Sequence, residues 1–420
     1  MQPPRVEDVF EAVPLERRLA AARPGIRAHL ERVLAGATLT TDEGVDLLTT
    51  EGADVLAVIA AADAARSADV GDDVTYVINR NVNFTNVCFV GCRFCAFKRQ
   101  RWEEDAYNQT VDAILAKVQE AVDRGATEIC MQGGINPDMP PFTYRDILIA
   151  IKRAFPAIHM HAFSPMEIMY GSRRTGMSHG DYLAMLKSHG LGTIPGTAAE
   201  ILDDEVREIL SHKKVDVRTW IDIITTAHRL GIPSTATIMY GHVESPRHVA
   251  AHLALIRTLQ HETGGFTEFV PLRFIHHNTE LYRDGLVPDP PPKGMYDLRM
   301  YAATRLMLRG AIANIQTSWV KINHELAQTS LLAGCNDFGG TLMEESISRE
   351  AGADAGEYTP VDEIQRLIAG VGRRAVERTT LYQKLEGGAE RVRHEHATDT
   401  DGAGGRSGGR EVSAGPHSCC

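Results

Sequence analysis

The chain has 420 residues, 43% of them hydrophobic, and a formal net charge of −11, enough for one large or two ordinary globular domains. An acidic chain without a long basic stripe lacks the counterion release that drives most nucleic-acid binding, so a small-molecule ligand and no nucleic acid are expected. No apolar run nears the roughly 20 residues a membrane span needs, and residues 1–25 carry scattered charges where a signal peptide would be apolar; no membrane contact and a cytoplasmic location are expected.

Residues 1–70 read as an N-terminal helical extension. In LTTDEGVDLLTTEGADVLAVIAAADAARSA, Thr41 with Asp42 and Glu43 supplies an N-terminal cap ahead of apolar residues at helical spacing. From about Val74 short β-branched or apolar runs alternate with amphipathic stretches. The candidate strands are VTYVINRNVNF, TEICMQGG, IHMHAFS, LGTIPG, STATIMYG, TEFVPLRF, ANIQTSW and LLAGCND. Gly125, Gly190 and Gly231 stand where intervening helices should end. Strand then helix, repeated about eight times, predicts an α/β fold: a (β/α)8 TIM-type barrel over residues 71–387, its reactive face at the C-terminal strand ends. A doubly wound open sheet is the alternative. Residues 388–420 are rich in Gly, Ser and charge and are expected to be a disordered tail.

The seven cysteines are unevenly placed. Cys130 and Cys335 stand alone, as buried small apolar residues do, and Cys419 and Cys420 end the chain. Cys88, Cys92 and Cys95 crowd into CFVGCRFC. Three thiolates at this spacing wrap one corner of a cubane cluster, each on a different iron, and leave the fourth iron open. A structural zinc site is the bland alternative, but it usually takes four ligands in paired knuckles. No second knuckle follows, and His159 and His161 are the only offered fourth donors.

The spacing, with Phe94 just before the last cysteine, resembles the motif of radical S-adenosylmethionine (SAM) enzymes. The resemblance implies a [4Fe–4S] cluster on Cys88, Cys92 and Cys95, with SAM on the open iron. Gly133 and Gly134, in QGG after the second strand, resemble the superfamily's turn against the SAM amino group. Without the cysteine motif they would read as an ordinary βα turn. The segment GTIPGTAAE, with Thr197 and Glu200, resembles the Gly-x-Ile-x-Gly stretch near the adenine. Glu167 after the third strand is a candidate contact to SAM or substrate. His159 and His161 share one strand face; these two, like His276 and His277, are more often packing residues.

The run NRNVNFTNVCFVGCRFCAFKR is similar to the cluster loop of the CofH family, subunit 2 of FO synthase and equivalent to the C-terminal half of FbiC. The similarity continues through CMQGGINPDMP, MHAFSPMEI, TATIMYGH, FVPLRF and GCNDFGGTLMEESIS, spanning about Val74 to Leu385. It implies a radical SAM transferase that cleaves L-tyrosine and adds a 4-hydroxybenzyl group to carbon-5 of 5-amino-6-(D-ribitylamino)uracil, on the way to the deazaflavin FO. A CofG-like ring-closing partner, FO synthase subunit 1, is then implied, and the single cysteine triplet suits a separate subunit. Asn81, Asn83, Asn86, Arg273, Asn336 and Asp337 are candidate partners for ribityl hydroxyls. Two rivals stay open: a menaquinone-pathway radical SAM enzyme (aminofutalosine synthase or dehypoxanthine futalosine cyclase), and a zinc-stabilised, non-redox binding protein.

Overall fold

A computed structural model describes residues 13–385; the expected tail at 388–420 and the first twelve residues lie outside the described residues. Four helices come first: α1 (Leu15–Ala21), α2 (Pro24–Leu34), α3 (Thr41–Leu48) and α4 (Gly52–Val70). The cap of α3 is Thr40, not Thr41. The Glu43 N–H donates to Thr40 Oγ1 at 3.2 Å and the Thr40 N–H to Glu43 Oε2 at 2.8 Å. A capping box needs its carboxylate three residues after the hydroxyl, and only Thr40 has that spacing to Glu43. Such a cap contributes about 1 kcal/mol.

The strands are β1 (Asp73–Val77), β2 (Asn79–Val82), β3 (Glu128–Met131), β4 (His159–Ala162), β5 (Ser234–Tyr240), β6 (Phe266–Arg273), β7 (Asp337–Gly340) and β8 (Arg374–Glu377). Between β2 and β5 lie α5 (Val111–Asp123), α6 (Thr143–Ala154), α7 (Pro165–Thr175), α8 (His179–Ser188), α9 (Asp204–Ser211) and α10 (Val217–Arg229). After β5 come α11 (Pro246–Thr263), α12 (Glu280–Arg283), α13 (Met295–Leu308), α14 (Trp319–Ile322), α15 (His324–Ser330), α16 (Ser346–Glu350) and α17 (Val361–Ala369).

The strands close a ring. β2 pairs β3 and β3 pairs β4, both parallel. His161 then bridges Thr193, and Ile194 bridges Ser234 at the head of β5. β5 pairs β6, Phe269 bridges Ile315, Gln316 bridges Asp337, and β7 returns to β1. This is an eight-stranded parallel barrel of the TIM type, as the alternating pattern predicts, and the open sheet is set aside. Two members, at residues 193–194 and 315–316, are reduced to single bridges. The last expected strand, LLAGCND, begins later than its sequence suggests: Leu331 to Ala333 form a turn, and pairing starts at Asp337.

Helices face the ring with apolar stripes. α10 buries Trp220, Ile223, Ile224 and Ala227, and α17 buries Ile364, Leu367 and Ile368, the spacing that places residues on one helical face. α5, α8 and α10 are followed by Gly125, Gly190 and Gly231, all at positive φ, where a Cβ would be strained. α4 lies along α13 on the outside of the ring, its buried Ala57, Ala61 and Ala65 keeping the approach close.

An unforeseen strand seals the bottom. β8 pairs β1 over Asp73–Tyr76, on the edge that β3 takes after Ile78. The chain then crosses the N-terminal opening of the barrel. Arg378 forms a 2.5 Å ion pair with Asp337, and Tyr382 hydrogen-bonds Glu268. The Arg378 guanidinium lies 4.0 Å from the Tyr382 ring centroid. Access to the lumen is therefore from the C-terminal face. Among the described residues no helix is long and apolar enough to cross a membrane.

Candidate active site

The loop after β2 carries the three clustered cysteines at the C-terminal mouth. Its base is pinned twice, by the Cys88 N–H donating to Arg99 O at 3.0 Å and the Arg99 N–H to Asn86 O at 2.8 Å. Gly91 turns the chain between Cys88 and Cys92 at φ +73°, open to glycine at no steric cost. Lys98 Nζ donates to Cys92 O at 3.0 Å and pairs with Glu280 at 2.6 Å. Arg99 is held by Asp105 and Glu350 at 2.7 and 3.0 Å.

All three thiols are free. Burial pushes the Cys92 thiol up to about 11, against the pull of Lys214 and with a push from Cys95. Cys95 is likewise raised by burial and then by Cys88. A metal that binds thiolates displaces the protons of these thiols. A single tetrahedral ion with bonds near 2.3 Å needs its sulfurs about 3.8 Å apart. Among the described residues no three His, Cys, Asp or Glu side chains are drawn together to hold one ion. A cubane places its thiolates on separate irons, farther apart. Three thiols on one loop fit a [4Fe–4S] cluster with one iron left open.

The QGG turn is built against this loop. A Cβ at Gly134 would lie 2.2 Å from Val87 O and 3.0 Å from the Cys88 Cβ; one at Gly133 would strike the Phe84 ring. These glycines are required by protein packing, and Gly134 ties the turn to the first cysteine. Glu167 stands beside the same turn. It is fully buried on α7 and lines neither cavity described below. Its carboxylate accepts from the Ser164 N–H and hydroxyl at 2.7 Å each and from the Gly133 N–H at 3.1 Å. It caps its own helix and fixes the turn. The reason is spacing: Ser164 and Glu167 form a capping box that turns the carboxylate inward.

Thr197 and Glu200 do face open space. Thr197 Oγ1 donates to Gln132 Oε1 at 2.7 Å, joining the fourth strand segment to the QGG turn. Glu200, at φ +40°, pairs with half-buried Lys214 at 2.6 Å. Lys214 Nζ lies 5.0 Å from the Phe94 ring centroid, and Ser211 Oγ donates to Cys92 Sγ at 3.1 Å. Nothing in the sequence marked Ser211 or Lys214, which reach the cysteine loop from α9 and the turn after it.

Two cavities share the barrel lumen. The upper, about 200 Å³, is lined by Phe94, Cys95, Thr197, Glu200, Met239 and Arg273 among others. The lower, about 250 Å³, descends past Asn81, Asn83, His161 and Gln316 to Arg378. Gln132, Thr197, Thr237, Leu272, Lys321 and Ile347 border both. The ammonium of Lys321, unremarked in the sequence, has no hydrogen bond or ion pair among the described residues; burial lowers its pKa, and Glu345 and Cys95 are the charges it feels most. Of the six residues offered to ribityl hydroxyls, Asn81 and Asn83 line the lower cavity. Arg273 lines the upper but is committed to Asp297 at 2.5 Å. Asn86 holds the cysteine loop, Asn336 binds Arg305, and Asp337 binds Arg378.

A closed parallel barrel with a three-cysteine loop and a glycine turn at its C-terminal mouth is the arrangement of radical SAM enzymes. Residues 82–256 match the radical SAM superfamily, and residues 263–390 match the CofH/MqnC C-terminal region. The chain is 46% identical over 364 residues to the 5-amino-6-(D-ribitylamino)uracil–L-tyrosine 4-hydroxyphenyl transferase of Methanothermobacter thermautotrophicus, covering 86% of this chain and 99% of that one. It is 50% identical over 356 residues to the FO synthase of Nocardia farcinica, covering 85% of this chain and 41% of that protein's length. Among solved structures it resembles the hydrogenase maturase HydG from Carboxydothermus hydrogenoformans (TM-score 0.67, 14% identity, 90% of this chain and 85% of that) and methylornithine synthase (0.64, 16%, 83% and 97%). These show the fold. The chain belongs to the CofH family of the radical SAM superfamily. Membership implies SAM and a [4Fe–4S] cluster.

Proposed function

We propose that this chain transfers the 4-hydroxybenzyl group of L-tyrosine to 5-amino-6-(D-ribitylamino)uracil. Near-complete coverage of the Methanothermobacter transferase at 46% identity carries this reading, and the continuous lumen beneath the cysteine loop supports it. The cluster with SAM, when bound, supplies a 5′-deoxyadenosyl radical. The protein's part is to bind, orient and exclude water.

Cys88, Cys92 and Cys95 hold the cluster in this reading, and the upper cavity takes SAM beside Thr197 and Glu200. Glu167 acts one step removed, by holding Gly133. Lys321, an unpaired cation between the chambers, offers a site for tyrosine's carboxylate. The sealed floor leaves one mouth, beside the upper cavity in which SAM would sit. The released adduct would pass to a CofG-like ring-closing enzyme, the other activity joined to this one in the longer FO synthases. A reducing cytoplasm suits the three free thiols.

The test uses anaerobically reconstituted protein with reductant, SAM, tyrosine and the pyrimidine. A hydroxybenzyl–pyrimidine adduct seen by mass supports the reading; a modified futalosine formed from a futalosine-type substrate instead would assign the chain to the menaquinone-pathway relatives.

A further inference from the structure

The lower lumen has a chemistry of its own. Its first-strand wall is Asn79, Asn81 and Asn83, alternate residues of one extended run and therefore on one face. Asn79 is spent: its amide donates to Glu128 at 2.9 Å and its oxygen accepts the Leu342 N–H at 2.9 Å. The side-chain oxygens of Asn81 and Asn83 are buried without a partner. Asn83 is 6% exposed, and its amide is already given to Gln132 O at 3.1 Å. A buried acceptor left unmet is destabilising, so two of them on one wall call for a ligand that brings donors.

The surrounding charges select against an anion. Glu128, Glu268 and Asp337 put three carboxyl groups around the floor, and the one guanidinium, Arg378, is occupied by Asp337 and Glu268. His161 is bonded through Nδ1 to Thr193 at 2.7 Å, and burial lowers its imidazole to about 4, so it is neutral at pH 7. Gln316 donates to Glu268 at 3.0 Å and keeps its amide oxygen as a further acceptor. The unpaired cation, Lys321, stands at the upper border.

From this juxtaposition we infer that the lower lumen is a polyol subsite, in which an uncharged hydroxylated chain runs from the QGG level toward the Arg378 floor along Asn81 and Asn83. Each hydroxyl both donates and accepts, which suits acceptors on one wall and a neutral imidazole two strands along, level with Asn81. The inference deepens the proposed function, since it orients the pyrimidine ribityl-end down and leaves carbon-5 toward the upper chamber.

The test is binding, measured by anaerobic calorimetry on full-length, cluster-loaded protein. The probes are 5-amino-6-(D-ribitylamino)uracil and its 6-methylamino analogue, which lacks the polyol. The wild type should bind the ribityl compound at least about tenfold more tightly, the scale of one or two hydrogen bonds. In Asn81→Ala and, independently, in Gln316→Leu, that ratio should shrink severalfold while the analogue's affinity holds. Equal affinity for both probes, no binding of the ribityl compound, or a ratio unmoved by both substitutions would overturn the inference. Tight ribityl binding with no adduct formed would keep the subsite and overturn the transfer reaction. Equal adduct yield from both probes, together with equal affinity, would do the reverse.

Discussion

Ser211 donates its hydroxyl to the sulfur of Cys92 across 3.1 Å, joining the C-terminal end of α9 to the middle of the cysteine loop. The two residues are 119 apart in sequence. Hydrogen bonds to cluster sulfurs favour the reduced, more negative state. Ser211→Ala should therefore lower the cluster's midpoint potential, by an amount on the order of tens of millivolts. Anaerobic redox titration followed by EPR reads it. An unchanged potential with full cluster content would show that the hydroxyl does not act on the ligand sulfur.

Replacing any one of Cys88, Cys92 or Cys95 by Ala should abolish 5′-deoxyadenosine formation and sharply lower iron and sulfide content after reconstitution. Cys335→Ala should leave both intact, because that thiol is buried ahead of β7 and away from the loop. Iron assay with product chromatography separates the two groups.

Glu167 ties stability to pH. Burial pushes its carboxyl up to about 7 from 4.5, although Ser164 and Gly133 donate hydrogen bonds to it. The folded state thus binds a proton more tightly than the unfolded one. Its contribution is full below about pH 4.5 and is lost as pH rises through about 7. Glu167→Gln, a neutral isostere of the protonated carboxyl, should flatten that part of the profile and leave stability at pH 5 close to that of the wild type. Urea melts of both proteins at pH 5 and pH 8 measure the difference.

Arg378→Met leaves Asp337 buried and uncompensated, a change that typically costs about 3–5 kcal/mol. A lower urea midpoint is the expected result. A midpoint within error of the wild type would mean that the floor of the barrel is not held by this pair.

Lys321→Met should weaken tyrosine binding about tenfold, the scale of one charge-assisted hydrogen bond, and leave tyramine binding unchanged, because tyramine has no carboxylate. Equal losses for both ligands would place the lysine's role elsewhere.

The regular part of the fold was legible because parallel strands buried on both faces read as short apolar runs, and eight of them stand in order between helices. The seventh ring member is nearly unpaired at Ile315–Gln316, and β7 reads DFGG, with Gly339 at φ +88°, so apolar content placed the last strand too early. The run RRAVERTTLYQ looks like solvated surface. Arg378 is buried and Tyr382 half-buried because Asp337 and Glu268 meet them, 41 and 114 residues away respectively. At the site, the cysteine spacing and the glycine turn are local and visible. Ser211, Lys214 and Lys321 arrive from distant helices and turns, and no periodicity announces them. The strand-end position of Glu167 suggests a pocket contact, and its three-residue offset from Ser164 also makes it a helix cap.

The central claim is most directly tested by one anaerobic incubation of reconstituted protein with reductant, SAM, tyrosine and 5-amino-6-(D-ribitylamino)uracil, read by mass. The account predicts 5′-deoxyadenosine together with a hydroxybenzyl–pyrimidine adduct, both absent in Cys92→Ala. A fully assembled cluster that yields 5′-deoxyadenosine but no such adduct would contradict it.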